Sequence, residues 1–468
     1  MVFSSGIFLF LFLPLVLIGV FLLRKRNIVW QNLFLLGASF AFYLKTGVGP
    51  FLLFLCSIAS NYVLALIIAK RRKRIYLIAA VGVNMGLLFI FKYFSFVYNE
   101  FNKLNGIDEL LVIALPLGIS FYTFQALSYV IDVYKDSNNV EKNPINVALY
   151  ISFFPQLVAG PIVRWDSIKD KLKKRTLNAE RLNGGLARFA IGLGKKVIIA
   201  DQMGFFADKA FALLKSNELT VGFAWMGAVA YTLQIYYDFS GYSDMAIGLG
   251  KILGFDFPEN FNYPYISKSI TEFWRRWHIS LTSWFRDYIY IPLGGNRKGN
   301  KRTVLNMFIV WCFTGIWHGA NYTFWIWGLI YFVLLMIEKF LLAKYVNFKN
   351  PFVNILKHIM TMICVMLLWV VFRADNLTDA GQYIGHMFGN GDVSEYAIGV
   401  TNLYFKNGIT YFCLAFIGCI PWTRVIDTLG YEIKYKNVLK EIWIVVVFFI
   451  SVCMVLESNY SPFIYFNF

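Results

Sequence analysis

Apolar stretches long enough to span a membrane alternate with short polar loops along most of this chain of 468 residues. A helix that crosses a bilayer needs about 20 largely apolar residues. Runs of this kind occupy residues 7–23, 28–44, 50–69, 75–98, 110–133, 184–203, 219–237, 303–317, 321–341, 352–372, 407–421 and 440–457. With one further, interrupted run, the pattern predicts about eleven to thirteen spans. The expected fold class is therefore an all-α polytopic membrane protein.

The charges of the first loops predict how these helices are oriented. The loops at 24–26 and 70–74 are strongly basic, whereas the loop at 46–49 is neutral and the loop at 99–109 is slightly acidic. Lys and Arg are retained on the cytoplasmic side of a membrane. We therefore expect the first helix to begin outside the cell and to end in the cytoplasm, and the following helices to alternate.

The interrupted run at 146–163 departs from this simple alternation. It contains Pro155 and the pair Gly160-Pro161, and basic residues lie on both sides of it. Backbone breaks at membrane depth are tolerated only where protein or a wet cavity surrounds them. The run is thus predicted to be either a re-entrant segment with both ends in the cytoplasm or a span kinked at proline.

Composition supports a membrane protein and excludes several other classes. Hydrophobic residues make up 58% of the chain and charged residues only 15%, against about 45–50% and about 25% in soluble domains. A single soluble core could not bury so much apolar surface, and disordered, collagen-like and small secreted proteins are excluded. The net charge of +17 comes from short basic clusters in loops, as expected for membrane anchoring, and no nucleic-acid partner is predicted.

Neither the cysteines nor any repeat divides or cross-links the chain. All six cysteines lie singly in apolar stretches, which predicts neither a disulfide scaffold nor a metal site. Without a repeat of fixed period or a low-complexity linker, residues 1–468 are expected to form a single domain. Two polar segments, 234–265 and 267–302, interrupt the apolar pattern and are the places to search for chemistry.

Within the second polar segment, residues 267–292 carry an apolar stripe at helical spacing, formed by Trp274, Trp277, Leu281, Trp284 and Tyr288, and a helix there is expected to end at Pro292. One interpretation is an amphipathic helix lying in the cytoplasmic interface, with its tryptophans at the depth of the lipid headgroups. That interpretation leaves His278 unexplained, together with the charges of Arg275, Arg276, Arg286 and Asp287. The second interpretation is a site that binds the phosphates of a carrier such as coenzyme A, because guanidinium groups suit phosphate.

His318 is the sharper signal. It lies in the aromatic run 311–327, which contains no other ionisable group except a tyrosine hydroxyl. An ionisable residue in such a run is costly and indicates function, and a neutral imidazole can accept a proton near neutral pH. Gly315 and Gly319 are expected to leave room for a substrate beside it. The alternative is a histidine held by a hydrogen bond between helices, which is the interpretation we favour for His358 and His386.

Motifs of several hydrolase classes are absent from the sequence, namely Gly-x-Ser-x-Gly, the P-loop and His-Glu-x-x-His. Two histidines with a basic entrance instead favour acyl transfer, in which an imidazole deprotonates a hydroxyl that attacks a thioester. No metal or resident cofactor is required. Acetyl-CoA or another acyl thioester would be the co-substrate.

Several longer motifs resemble one known family in the same order along the chain. They are residues 115–125 (LPLGISFYTFQ), 154–162 (FPQLVAGPI), 237–246 (YDFSGYSDMA), 258–262 (PENFN), 273–299, 317–320 (WHGA), 372–374 (FRA) and 462–466 (PFIYF). The chain resembles the membrane-bound O-acyltransferases (MBOAT), in the branch typified by the alginate O-acetylation membrane protein. The resemblance covers essentially the whole length.

This resemblance implies a fold and a site. The fold would be a ring of tilted transmembrane helices, with re-entrant and interfacial helices, around a central funnel. His318 and His278 would be the catalytic residues. Donor or substrate binding would involve Trp274 and Asp238, together with the charged residues Arg275, Arg276, Arg286 and Asp287.

The resemblance also implies an activity and partners. The chain would be an O-acetyltransferase of the cytoplasmic membrane that receives an acyl group from a cytoplasmic thioester donor. The acceptor would be a hydroxyl of an exported polysaccharide or of peptidoglycan, reached through an extracytoplasmic, esterase-like relay protein.

Three alternatives remain open from the sequence: a D-alanyltransferase, a lipid O-acyltransferase, and a transporter or flippase without covalent chemistry. The extension 291–299 (IPLGGNRKG) and the segment 372–374 favour the acetyl-transferring branch over the D-alanyl branch.

Overall fold

A computed structural model describes residues 1–107, 109–342, 350–390, 394–422, 424–425, 436–457 and 463. Within these residues all regular structure is helical. The helices are α1 Leu13–Leu23, α2 Ile28–Leu44, α3 Val48–Arg71, α4 Arg74–Leu88, α5 Phe94–Leu104, α6 Ile119–Lys135, α7 Pro144–Ser152, α8 Phe154–Leu157, α9 Trp165–Lys173, α10 Ala179–Gly194, α11 Asp201–Lys215, α12 Val221–Ile252, α13 Ile270–Arg276, α14 Ile279–Phe285, α15 Gly299–His318, α16 Tyr322–Ile337, α17 Pro351–Arg373, α18 Leu377–Met387, α19 Glu395–Gly418 and α20 Lys436–Glu457. The predicted all-α class is confirmed.

Five helices in the described part of the chain are long and apolar enough to cross a membrane. They are Val48–Arg71, Arg74–Leu104, Tyr322–Leu342, Pro351–Arg373 and Val438–Glu457, and two shorter apolar helices cover Phe8–Leu23 and Ile28–Leu44. Their outward side chains are apolar; Leu22 is 70% exposed and Phe449 is 68% exposed. Exposed apolar side chains on this scale need a lipid environment. The chain is therefore a multi-pass membrane protein.

Two predicted spans are not continuous helices. In the run 110–133 no helix precedes Ile119, and the chain turns at Gly118, whose φ is +72°. The run 146–163 is divided: α7 ends before Phe153, α8 is a single turn around Pro155, and residues 161–164 have no regular structure. The predicted break at proline is present, whereas the predicted re-entrant path stays a prediction.

The predicted continuous helix through the segment 267–292 is wrong. The chain breaks at Trp277 and His278, and His278 takes a left-handed conformation with φ +42° and ψ +54°. The stripe residues Trp274, Trp277, Leu281 and Trp284 are all buried, so these tryptophans contact protein and do not face lipid. A left-handed histidine interrupts any helix, and periodicity alone cannot reveal it.

The structure comprises two compact units. The first contains residues 1–193, 242–259 and 455–468. Its core includes a phenylalanine cluster in which the ring of Phe154 lies 5.3 Å from that of Phe12 and 5.8 Å from that of Phe42. Arg188 donates to Asp244 at 2.7 Å and to Glu259 at 2.5 Å, which fixes α10 to α12 within this unit.

The second unit contains residues 194–241 and 260–454. Its core is aromatic: the ring of Trp327 lies 5.7 Å from that of Trp274, 5.9 Å from that of Trp369 and 5.1 Å from that of Phe372. Both histidines singled out by the sequence belong to this unit. The expectation of a single domain for residues 1–468 stays a prediction, because a compact unit is not by itself an independently folding domain.

Candidate active site

Asn260 holds His278 in its unusual backbone conformation. The carbonyl oxygen of Asn260 accepts the backbone N–H of Ile279 at 2.9 Å. Its side-chain oxygen accepts the backbone N–H of Ser280 at 3.2 Å and the Ser280 hydroxyl at 2.8 Å. Non-glycine residues at positive φ are uncommon and persist where surrounding contacts over-determine them. The break between α13 and α14 is therefore imposed by the hydrogen bonds of Asn260.

The same contacts decide which nitrogen of His278 carries the proton. The imidazole Nδ1 lies 3.1 Å from the Asn260 side-chain oxygen. A backbone N–H can only donate, so the Ser280 contact identifies that atom as the amide oxygen, an acceptor. Nδ1 must then donate, and Nε2 carries the free electron pair. Within the described residues, Nε2 is buried and has no hydrogen-bond partner.

His278 is held as a neutral imidazole by its surroundings. Its side chain is 1% exposed, and the ring of Phe239 stands perpendicular to it with centroids 4.7 Å apart. Burial lowers the pKa of His278 to about 3, because a charged ring loses its hydration there. At neutral pH the ring offers an electron pair and no positive charge.

His318 is the last residue of α15 and lies in an aromatic enclosure. The side chain is 3% exposed. Its ring centroid lies 5.1 Å from that of Trp327 on α16 and 5.1 Å from that of Phe372 on α17. Three helices therefore fix this imidazole, as expected for a functional group whose position matters.

The structure brings the two predicted histidines to the same indole. The ring of Trp317 lies 6.1 Å from that of His278 and 4.9 Å from that of His318. Trp317 directly precedes His318 in the chain, so the contact that the fold adds is the one between Trp317 and His278, 39 residues earlier. The pairing of the two histidines was predicted from the sequence, whereas the aromatic ring that both contact was not.

The expectation of open space beside His318 is wrong. A Cβ at Gly315 would lie 2.6 Å from the carbonyl oxygen of Phe324, and a Cβ at Gly319 would lie 2.5 Å from the Phe324 ring. The glycines allow α15 and α16 to pack closely, as small residues do between membrane helices. Atoms of Phe324 occupy the space that side chains at Gly315 and Gly319 would need.

An open cleft of about 350 Å³ lies next to the broken helix. Trp274, Arg275 and Arg286 line it together with apolar residues of α14 and α15. Arg275 is exposed and makes no hydrogen bond or ion pair to any residue that the structure describes. Arg286 is paired with Asp287, its Nε 2.7 Å from Oδ1. The cleft thus combines aromatic walls with one uncommitted guanidinium.

Three of the predicted binding residues do not line this cleft: Asp287, which pairs with Arg286, and Arg276 and Asp238. Arg276 donates to Glu272 at 2.8 Å and to the carbonyl oxygen of Asn262 at 3.1 Å. Asp238 is 1% exposed and lies 3.0 Å from the Nζ atom of Lys196. All three are engaged in contacts within the protein, and their roles in binding stay predictions.

Lys196 is a residue that sequence analysis missed. It is 4% exposed and contacts Asp201 at 2.6 Å in addition to Asp238. A buried ammonium with two carboxylates is costly and has to be balanced. In the sequence this lysine follows another lysine at the edge of a glycine-rich apolar run, and no local feature distinguishes the buried member of the pair.

Comparison with known proteins shows which family this chain is similar to. Residues 135–376 match the family model described as MBOAT, membrane-bound O-acyltransferase family. A probable alginate O-acetylase AlgI of Pseudomonas putida is 40% identical over the full length of both chains. A peptidoglycan O-acetyltransferase of Helicobacter pylori is 34% identical over 100% of this chain and 98% of its own.

A relative with a different named acyl group aligns over a shorter stretch. The teichoic acid D-alanyltransferase of Bacillus subtilis is 34% identical over 48% of this chain and 59% of its own. The region that matches the family model contains His278, His318 and the cleft. The motif at 462–466 lies outside the described residues, except for Phe463. The expected resemblance is confirmed: this chain belongs to the membrane-bound O-acyltransferase family and is an acyltransferase enzyme.

Proposed function

We propose that this protein is an O-acetyltransferase of the cytoplasmic membrane. It takes an acetyl group from a thioester on the cytoplasmic side and delivers it to a hydroxyl of an exported polysaccharide or of peptidoglycan. The full-length alignments with two O-acetyl-transferring relatives support acetyl over D-alanyl. The observation that carries the proposal is the meeting of His278 and His318 at Trp317, in the unit that also forms the arginine-lined cleft.

The cleft suits a thioester donor such as acetyl-CoA. Arg275 offers several N–H donors to a phosphate, and the aromatic wall at Trp274 and Trp311 accommodates an apolar arm. The basic residues 297–302, expected in the cytoplasm, include the first turn of α15, whose residues Met307 and Val310 also line the cleft. A donor entering from the cytoplasm would meet this face first.

In the proposed reaction His318 is the general base. Its imidazole takes the hydroxyl proton, the resulting oxygen attacks the thioester carbonyl, and the carbon–sulfur bond breaks. The proton then passes from His318 to the departing thiolate. General-base catalysis of this kind contributes about 10²–10⁴-fold.

His278 has an orienting role in this scheme. A ring that stays neutral cannot offset negative charge on the carbonyl oxygen. Its Nε2 can accept a hydrogen bond from the incoming hydroxyl or from the donor, and the Asn260 contact fixes the direction of that electron pair. His278 would thus hold a reactant in position for His318.

The test is thioester turnover by purified protein in lipid nanodiscs, followed by thiol release from acetyl-CoA. We expect His318→Ala to lower kcat by about 10²-fold or more, because the general base is lost. His358→Asn is the matched control, since the hydrogen bond that His358 makes among the described residues is to the carbonyl oxygen of Ser267 at 2.9 Å, and an amide can replace it.

Three outcomes would contradict the proposal. Undiminished turnover by His318→Ala removes this residue from the chemistry. Transport of a polymer or lipid without any thiol release favours the transporter alternative. Mass spectrometry of the modified acceptor identifies the transferred group, and D-alanine or a long acyl chain in place of acetyl would support the remaining alternatives.

The acetyl group is expected to reach its polymer through an extracytoplasmic, esterase-like protein. A buried imidazole in a membrane enzyme cannot follow a polymer into the cell envelope, whereas a relay protein with its own nucleophile can. Mixing the nanodisc enzyme with a candidate protein of this kind should move label from acetyl-CoA onto that protein. Direct labelling of polymer by the enzyme alone would remove the relay.

A further inference from the structure

The reaction proposed for His318 places negative charge on the thioester oxygen, and this charge needs a hydrogen-bond donor. When the acceptor oxygen adds to the carbonyl carbon, the carbonyl electron pair moves onto the carbonyl oxygen. Enzymes of acyl transfer place N–H or O–H donors at that oxygen. His278 does not fill this role, because its ring is neutral and its Nδ1–H already donates to Asn260 at 3.1 Å.

Trp327 of α16 carries an N–H donor that the protein leaves unused. Its side chain is 0% exposed, and within the part of the chain that the structure describes its indole Nε1 has no hydrogen-bond partner. An indole N–H can donate but cannot accept, and in a buried tryptophan it normally finds an acceptor. This N–H therefore indicates a bound molecule that supplies the acceptor.

The same indole contacts both the candidate base and the wall of the donor cleft. Its ring centroid lies 5.1 Å from that of His318, with the two planes at 81°. On another side it lies 5.7 Å from the ring of Trp274, which lines the cleft. His318 does not line the cleft itself. A thioester that reaches His318 from the cleft therefore brings its carbonyl group alongside Trp327.

The backbone next to Trp327 is held rigidly. Gly328 follows it, and a Cβ there would lie 2.7 Å from the carbonyl oxygen of Trp311 on α15. The Trp327 ring also lies 5.1 Å from that of Phe372 on α17. Contacts with two neighbouring helices thus fix the indole beside the base. A donor that is already in place stabilises developing charge without a cost of reorganisation.

We propose that the Nε1–H of Trp327 donates a hydrogen bond to the thioester oxygen in the transition state. The acceptor oxygen bonds to the carbonyl carbon while its proton moves to His318, and Nε1–H stabilises the electron pair displaced onto the carbonyl oxygen. When that pair re-forms the carbonyl group, the carbon–sulfur bond breaks and the thiolate takes the proton from His318. This inference rests on the proposed function and adds Trp327 to it as a catalytic residue.

The test replaces the N–H and keeps the shape of the ring. Trp327→Phe removes part of the ring as well, so the sharper variant carries benzothienylalanine at position 327, in which sulfur stands in place of N–H. Turnover of acetyl-CoA by the full chain in nanodiscs is followed by thiol release. We expect kcat to fall about 10²-fold, as for the loss of one donor to such an oxygen, with KM and Tm unchanged, because the contact strengthens only in the transition state.

Trp225 provides the matched control. Its indole N–H donates to the carbonyl oxygen of Met387 at 2.8 Å, so benzothienylalanine at position 225 removes a structural hydrogen bond. This control should lower Tm and leave kcat unchanged.

The possible results separate this inference from the proposed function. Unchanged kcat with benzothienylalanine at position 327, or an equal fall in kcat at positions 327 and 225, overturns the role of Trp327 and leaves the proposed function standing. A lower Tm at position 327 without a lower kcat would likewise make the indole purely structural. Absence of thiol release by the unaltered protein would reject the proposed function, and this inference with it.

Discussion

The residues around His278 determine its protonation state and the direction of its electron pair. The Asn260 side-chain oxygen accepts a hydrogen bond from Nδ1–H, so the folded ring is neutral and its Nε2 electron pair has a fixed direction. A carboxylate at position 260 would instead favour the charged ring. The amide of Asn260 therefore orients a neutral ring and does not favour a charged one. For this reason His278 is assigned an orienting role and not a charge-stabilising role.

The first prediction concerns stability at low pH. The unfolded chain binds a proton at His278 below about pH 6.5, whereas the folded chain resists until about pH 3. The free energy of unfolding should therefore fall as the pH decreases through this window, by up to about 1.4 kcal/mol per pH unit from this residue. Thermal unfolding of detergent-solubilised protein from about pH 7 to about pH 4 measures it.

His278→Asn is the comparison for this measurement, because asparagine tolerates the left-handed backbone and does not titrate. Its stability should depend less steeply on pH than that of the unaltered protein. Identical slopes would mean that His278 is protonated in the folded state, and the orienting role would lose its basis.

Arg275 and Arg276 are neighbours with different surroundings, which leads to the second prediction. Arg275→Gln should raise the KM for acetyl-CoA about tenfold with little change in kcat, because a charge-assisted contact to phosphate is lost. Arg276→Gln should leave that KM unchanged and lower stability by up to about 1 kcal/mol, because it frees Glu272 from an ion pair. Steady-state kinetics and thermal unfolding distinguish the two, and the reverse pattern would exclude the cleft as the donor site.

At the scale of elements, the pair α15–α16 fixes the position of His318. Gly315 lies against the backbone of α16, and Gly328 of α16 lies against the backbone of α15, where a Cβ would be 2.7 Å from the carbonyl oxygen of Trp311. Each helix presents a glycine to the other. The close contact holds the histidine at the end of α15 against Trp327 and Phe372.

The third prediction is that Gly315→Ala separates these helices. The added methyl group would meet backbone atoms that cannot rotate away, and we expect a loss of about 1–3 kcal/mol in stability together with lower kcat. Gly82→Ala, at an exposed glycine of α4 with no atom near its Cβ, should be neutral or stabilising by up to about 1 kcal/mol. Equal effects of the two substitutions on kcat would show that the packing does not position His318.

The sequence predicted correctly those helices and breaks that depend on residues close together in the chain. Apolar length identified the five described helices that are long and apolar enough to cross a membrane, whereas the predicted total of about eleven to thirteen spans stays a prediction, and proline identified the break after α7. The turn at His278 escaped prediction because Asn260, which imposes it, lies 18 residues earlier in the chain. The buried state of Lys196 escaped for the same reason, since its partner Asp238 belongs to another helix.

At the scale of the molecule, the donor cleft and His318 lie along the same helix. The cleft is lined by Met307 and Val310 of α15, and His318 is the last residue of that helix. Such an arrangement would let donor and acceptor approach one histidine from opposite sides of the membrane.

The fourth prediction tests this sidedness. In a variant whose six cysteines are replaced, a cysteine introduced at Asn300 should react with an impermeant maleimide only from the cytoplasmic side. A cysteine at Gln382 should react only from outside, because three spans predicted from the sequence, 303–317, 321–341 and 352–372, separate the two positions. Labelling of intact cells and of inverted vesicles gives the answer, and labelling of both positions from one side would reject the two-sided reaction.

Lys196 has a consequence for biogenesis. Neither α10 nor α12 is among the described helices long and apolar enough to cross a membrane, and Lys196, just after α10, carries a charge that costs about 2.5–3.5 kcal/mol at the centre of an inserting segment. Its first carboxylate partner, Asp201, is synthesised five residues later, whereas Asp238 follows 42 residues later. Asp201 can therefore pair with Lys196 within the same inserting segment, and Asp238 completes the pairing only after α12 has emerged.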